Sequence, residues 1–429
     1  MATISKFVLF SLLICLSSSS TTSSKFTALV LPITKHPTLQ YITHLTLGTP
    51  PAKIGLVLDI GGPHIWFDCI NKTSYNSSTS RPGICGSAAC SVAKGFCIPN
   101  RAPCDIHAQN NIFGTLGTAF VEVDKIAVHS TDGSKAGPVV TIPNIIFGCS
   151  ETFSLTSLAD GTKGMLGLSK ERVSLPSQLS SLLNAKKFAI CLPSKPNTDG
   201  VLFLGKSPYK FYPGYNTSRL IDVTSRFKYT KLHTNYQRTA TARIQGPPLS
   251  EYFVKITSIL VNNKPIKFNR TLLEFQRTGA GGSKITTVKP YTTFESSIYR
   301  AFVKVFDAEI ISTWKVKKVE AVPPFSDCYT YGNLGMSLLG LGVPDISFVF
   351  EDKFVRWDIY GANSMVEISK DVICLGIIDG GSDVHIATYI DIGAHQLQDN
   401  LLEFDLASSR LGFTNTLLFD EIECSNFKF

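Results

Sequence analysis

Beyond residues 1–24 the chain has no apolar run of the roughly 20 residues that a membrane-spanning helix needs, so no span is expected. No Gly-x-Ser-x-Gly elbow occurs, which leaves a serine-hydrolase reading without support. His44, His64, His107, His129, His233, His385 and His395 show no ligand spacing, and the cysteines follow no zinc pattern, so neither a metal nor a cofactor is expected. A basic stripe is missing too. The formal charge is +8, yet Lys and Arg are scattered, and the only short cluster, Lys315, Lys317 and Lys318, does not make a nucleic-acid site. Such a balance favours acidic partners, among them an acidic cell-wall polysaccharide such as pectin. No low-complexity segment follows the leader.

What is present points to secretion. Lys6 precedes the apolar run Phe7–Leu16, which gives way to Ser17–Ser24, the pattern of a cleaved signal peptide over 1–24. Removing Cys15 with it takes the cysteine count from 11 to an even ten, suited to an oxidising compartment. Asn71, Asn76, Asn216 and Asn269 begin Asn-x-Ser/Thr sequons and read as glycosylation sites.

Short runs of Val, Ile, Thr, Phe and Tyr between Gly, Pro, Asn and Ser recur from Tyr41 to Phe413 and predict an all-β protein with a few short helices. Helical spacing is best at 177–183 and at 296–311, where Ile298, Ala301, Phe302, Val305, Phe306 and Ile310 share a face. The pattern also repeats. Tyr41–Pro51 leads to Leu58-Asp59-Ile60-Gly61-Gly62 and later to Gly164-Met165-Leu166-Gly167; Tyr252–Val261 leads to Gly281–Val288 and later to Ile390-Asp391-Ile392-Gly393. Two β lobes around a cleft are expected, an N-terminal one over 25–208 and a C-terminal one over 209–429.

Asp59-Ile60-Gly61 resembles the Asp-Thr-Gly loop of pepsin-like aspartic proteases. With Ser130-Thr131-Asp132-Gly133, Ile146-Phe147-Gly148-Cys149, Ser174–Gln178, Lys187–Leu192 and Gly393–Leu406, nearly all of the chain from Tyr41 onward resembles the plant subgroup of that fold containing xylanase inhibitors, xyloglucan-specific endoglucanase inhibitors and basic 7S globulins. Active relatives need two carboxylates that share a proton. Framed on Gly281-Gly282 and Tyr291, the second loop has Thr286 in place of aspartate and Val288 in place of glycine, so both chemistry and loop packing are altered and the chain is expected not to be an enzyme. Asp391-Ile392-Gly393 mimics an active loop, but its position before Ala394-His395-Gln396 assigns it to the strand crossing behind. The segment Asn110–Gly117 also lacks the flap tyrosine of active enzymes.

The resemblance implies a secreted apoplastic or cell-wall inhibitor of a glycoside hydrolase in plant defence, with a storage or binding globulin as the alternative. Inhibitory relatives use loops of the second lobe to enter a carboxylate-lined cleft. Here Trp314, Lys315, Lys317 and Lys318 match one loop, and Phe419, Asp420 and Glu421, within Leu417–Glu423, match the other. That second loop carries Asp420, Glu421 and Glu423 where inhibitory relatives place Arg or His, and like charges facing a carboxylate cleft repel. The resemblance also implies bonds from Cys191 to Cys424 and from Cys328 to Cys374. It leaves open how Cys69, Cys85, Cys90, Cys97, Cys104 and Cys149 pair.

Overall fold

The computed structural model describes residues 26–70, 74–214, 218–237, 247–276, 279–382 and 388–429. The expected leader, the sequons at Asn71 and Asn216, and His385 lie outside the described residues; Asn76 and Asn269 are exposed.

Strands dominate, and their burial explains their composition. Ala28–Lys35 is apolar at almost every position because it is interior to a sheet, pairing with Asp199–Gly205 along its length and with Tyr41–Leu47 at its end. Runs buried on both faces lose the polar alternation of half-exposed strands. On the other side of Asp199–Gly205 the same sheet continues through Lys187–Cys191, Leu401–Asp405, Arg410–Phe413 and Lys228–Lys231. Strands from the end of the chain are therefore hydrogen-bonded to strands from its first half, with Ile190 opposite Leu402 and Phe188 opposite Phe404. The Phe188 and Phe404 rings stack at 4.7 Å across that seam.

A second feature repeats. Ala52–Asp59 runs parallel to Gly164–Gly167, which is antiparallel to Ile65–Asp68, itself parallel to Ala136–Ser150. In the second half Ser283–Ile285 runs parallel to Ile390–Ile392, which is antiparallel to Thr292–Phe294, itself parallel to Ile377–Asp379. A glycine ends the first crossing strand and directly follows the second, because in each case the neighbour leaves no room for a side chain. A Cβ on Gly167 would lie 2.4 Å from the Gly62 carbonyl oxygen, and one on Gly393 would lie 2.3 Å from Tyr291 backbone atoms.

The long helix spans Ser296–Trp314, three residues beyond the expected end, and buries Ile298, Phe302, Phe306 and Ile310 as its spacing predicts. Its start is fixed by the Glu295 carboxylate, which accepts from Ser297 N and Ile298 N, and its end by Lys315 at a φ of 57°. The other expected helix is broken into Leu175–Gln178 and Ser180–Leu183. No described helix is long and apolar enough to cross a membrane.

All ten cysteines of the described chain are paired: Cys69–Cys149, Cys85–Cys97, Cys90–Cys104, Cys191–Cys424 and Cys328–Cys374. The last two pairings are those the resemblance implies. Cys191–Cys424 joins residues 233 positions apart and fastens the tail to the shared sheet. Loop-closure entropy assigns such a link roughly 2–5 kcal/mol. Asp399 supports the same corner, its Oδ1 accepting from Cys424 N at 2.8 Å.

Burial pushes the Asp399 carboxyl up to about 6, with Glu423 adding to the rise and Ser194, Cys424 N and Lys195 opposing it. Lys35 is the other nearby cation, and the Tyr41 hydroxyl lies in the same neighbourhood. Because the folded state holds this proton more tightly than the unfolded chain, its stabilising contribution is complete below the ordinary carboxyl range and is lost as pH rises through about 6. Asp399→Asn removes that dependence while tolerating the left-handed φ of 50°. In urea titrations its stability relative to the native protein should rise between pH 4 and pH 7, by roughly 2–3 kcal/mol; a flat difference would contradict the assignment.

Candidate functional site

The repeated crossings bring the two loop positions into register. Asp59 lies opposite Gly167, and Ile285 opposite Ile392, so the next pair along is Thr286 with Gly393. Thr286 N donates to Ile392 O at 3.0 Å and continues the ladder. By topology, Thr286 is the second-half counterpart of Asp59, and both are buried. Its hydroxyl accepts from Val288 N at 3.3 Å.

The halves meet through backbone. Thr287 Oγ1 donates to Leu58 O at 2.8 Å and accepts from Ile60 N at 3.3 Å, so one hydroxyl ties the second loop to both sides of Asp59. Beside it, Ser250 Oγ donates to Gly61 O at 2.9 Å, and Tyr252 Oη donates to Leu168 O at 2.7 Å.

Asp59 itself is enclosed. Oδ1 accepts from Gly61 N at 2.9 Å, and Oδ2 accepts from Asn111 Nδ2 at 2.6 Å. Asn111 sits at the tip of the hairpin joining Asp105–Asn110 to Thr115–Thr131, the flap position in which a tyrosine is missing. Asn110 shapes that tip by accepting from Ile112 N and Phe113 N while donating to Ser154 O and Thr156 O. Burial pushes the Asp59 carboxyl up, against the pull of Asn111 and Gly61. The sequence offered only one signal for Asn111, the Asn-Asn pair before Gly114, and nothing tied it to Asp59.

Lys284 is a cation within electrostatic reach of Asp59. Its Nζ is 2.6 Å from Glu251 and 4.0 Å from Asp391. Burial works against the ammonium, but Asp391 and Glu251 together hold its pKa above the ordinary lysine range, with Asp59 adding to the effect. Asp391, the mimic of an active aspartate, is buried in the crossing strand and pairs with Lys289. Among the described residues no cluster could hold a metal ion.

The second-lobe loops differ from the expected charge picture. Lys318 is not a free cation, for it bridges Asp307 on the long helix at 2.8 Å and Asp327 just before the facing strand. Asp420 pairs with Arg226, and Glu423 with Lys195 at 2.7 Å, which leaves Glu421 as the exposed charge of the tail loop with no described ion pair. Lys315 and Lys317 stay exposed, while Trp314 is partly buried. The loops are linked through a hairpin that sequence reading missed, Met336-Ser337 paired with Gly340-Leu341. The Trp314 indole lies against Gly342, Gly340 packs on Ala362, and the Tyr360 ring meets Phe419 edge-on at 5.3 Å. Met336, Leu338 and Phe419 are more than half exposed along this path.

Comparison with known proteins agrees with this geometry. Residues 41–206 match a family model described as xylanase inhibitor N-terminal, and residues 251–415 one described as xylanase inhibitor C-terminal. A probable aspartic proteinase GIP2 of Nicotiana benthamiana is 41% identical over 423 residues, covering 96% of this chain and 94% of that protein. Gamma conglutin 1 of Prunus dulcis is 32% identical, covering 97% and 94%. The crystal structure of edgp superposes with a TM-score of 0.87 at 40% identity, covering 94% of this chain and 98% of that one. An aspartic proteinase from Irpex lacteus, 14% identical with a TM-score of 0.58 over 93% of this chain and all of its own (100%), shares the fold. With both halves matched, the chain belongs to the xylanase-inhibitor family of pepsin-fold proteins.

Proposed function

We propose that this protein is a secreted, catalytically inactive member of its family that inhibits a glycoside hydrolase, an endoglucanase or a xylanase, in the plant cell wall. The observation that supports the inactive reading is that Asp59 and Thr286 occupy equivalent positions at the ends of the two crossings. Pepsin-type hydrolysis needs a second carboxylate to share a proton and activate water, and a threonine hydroxyl does not titrate in that range. Asn111 on Oδ2 also occupies the acceptor that such a water would use.

Inhibition then falls to the outer loops. Exposed Lys315 and Lys317 beside Trp314 offer charge-assisted contacts to a carboxylate pair, and Met336, Leu338 and Phe419 offer apolar anchors. Because Asp420 and Glu423 are already paired, repulsion from the tail loop narrows to Glu421. A second reading, an extracellular binding or storage globulin, is favoured by one observation: the internal pairing of Lys318 removes a cation from the proposed inhibitory loop.

Purified protein should not cleave denatured haemoglobin from pH 2 to pH 6. Thr286→Asp alone should not create activity, since Val288 and Asn111 remain; pepstatin-sensitive cleavage by the native chain would overturn the reading.

The inhibitor reading is tested on a panel of microbial xylanases and endoglucanases. Lys315→Ala with Lys317→Ala should weaken inhibition by more than about 1 kcal/mol, and so should Leu338→Asp. Glu421→Arg should strengthen it by removing a repulsion. If neither the native protein nor Glu421→Arg slows any enzyme of the panel, the globulin reading replaces it.

A further inference from the structure

On the seam between the halves lies a cavity of about 540 Å³, remote in sequence from both loop positions except through Pro290 and Tyr291. Its polar end is built around Lys35, the last residue of the strand Ala28–Lys35, which is only 8% exposed. The ammonium donates to Ser194 O at 2.7 Å, and no carboxylate among the described residues lies within ion-pair distance. Burial lowers the Lys35 pKa, and Asp399 only partly compensates. A buried ammonium carries three donors, and with one carbonyl acceptor it remains short of partners.

The other polar groups at this end are already committed. Tyr41 Oη accepts from Gln398 Nε2 at 2.8 Å and donates to Pro193 O at 3.4 Å. His395 Nε2 lies 3.1 Å from Met365 O, and burial, with Lys35 adding, pushes the imidazole down to about 4, so it is neutral at pH 7. Lys195 at the rim is taken by Glu423. The remaining walls are mostly apolar or aromatic, with Leu39, Tyr291, Leu341 and Met365 among them, and the one carboxylate of the lining, Glu367, is exposed. The ligand that complements one ammonium at the end of an apolar cavity is a monoanion on an apolar body. Its oxygens supply the missing acceptors of Lys35, and its body covers the walls.

We propose that this seam cavity binds a small carboxylic acid with an aromatic body, with Lys35 as its counter-ion. The cavity shares Met336, Gly340 and Leu341 with the hairpin that links the outer loops, but carboxylate recognition by Lys35 does not depend on hydrolase inhibition.

The probes are cinnamate and naphthalene-2-acetate with their methyl esters, added to the purified full-length protein at pH 7 and followed by calorimetry and thermal unfolding. Each acid should bind saturably and raise the unfolding temperature, and each ester should bind roughly tenfold or more weakly for want of the charged acceptor. Lys35→Gln should weaken the acids by a similar factor, Lys35→Arg should retain part of the affinity, and Ala362→Phe, narrowing the cavity with Lys35 intact, should abolish binding. Equal affinity for acid and ester would overturn carboxylate recognition. No binding of either acid at millimolar concentration, or unchanged binding to Ala362→Phe, would overturn the site. The acid-against-ester comparison uses native protein, so it decides the matter even if Lys35→Gln does not fold.

Discussion

Everything in the cleft depends on two strands passing others with no room for a side chain. At Gly167 and at Gly393 the crossing backbone lies so close to the neighbouring segment that a Cβ would fall within 2.4 Å and 2.3 Å of its backbone atoms. Contact at that distance is far inside van der Waals separation, so neither position admits another residue without moving the strand beside it. The crossings fix the ends of Ala52–Asp59 and Ser283–Ile285, and so fix where Asp59 and Thr286 stand. Gln396 locks the second crossing, accepting from both polar atoms of Thr292 and donating to Asn363 O and Gly376 O. With both amide atoms satisfied and no exposure, this side chain gives the Ala394-His395-Gln396 motif a structural meaning.

The parts legible in the sequence are those written locally. Short Val-, Ile-, Thr-, Phe- and Tyr-rich runs between turn residues marked the strands, helical spacing marked Ser296–Trp314, and the opening strand, loop and crossing strand recur in the same order in both halves. The expectation that sets Thr286 against Asp59 rests on the two glycines and the tyrosine that bracket it. What stayed hidden was pairing between residues far apart. Asn111 meets Asp59 across 52 positions, and Asp420 meets Arg226 across a still longer separation. Lys318 could be counted as a free cation only while the fold that brings Asp307 and Asp327 beside it was unknown. Charge can be read from a sequence, but its neutralisation cannot.

At the cleft floor Asp59 is held within a hydrogen-bond network. Two facing carboxylates would need one proton between them, whereas here Asp59 is hydrogen-bonded on both oxygens, and Lys284, a cation it interacts with, is already shared by Glu251 and Asp391. Such a network sets few demands on solvent or on motion. The hydrogen bonds of Thr287, Ser250 and Tyr252 to first-half carbonyls fasten the halves beside the Asp59 loop.

A fastened floor changes what the rest of the surface can do. Domain closure needs an interface that slides or hinges, and the sheet shared by Ala28–Lys35, Lys187–Cys191 and Leu401–Asp405, bolted by Cys191–Cys424, resists both. The halves then act as one rigid support. On such a support, loops such as Met336–Leu341 and Leu417–Glu423 are presented at fixed separation, and rigid presentation lowers the entropy lost on binding a partner. The seam cavity draws its walls from both halves, so the sheet they share also sets its shape.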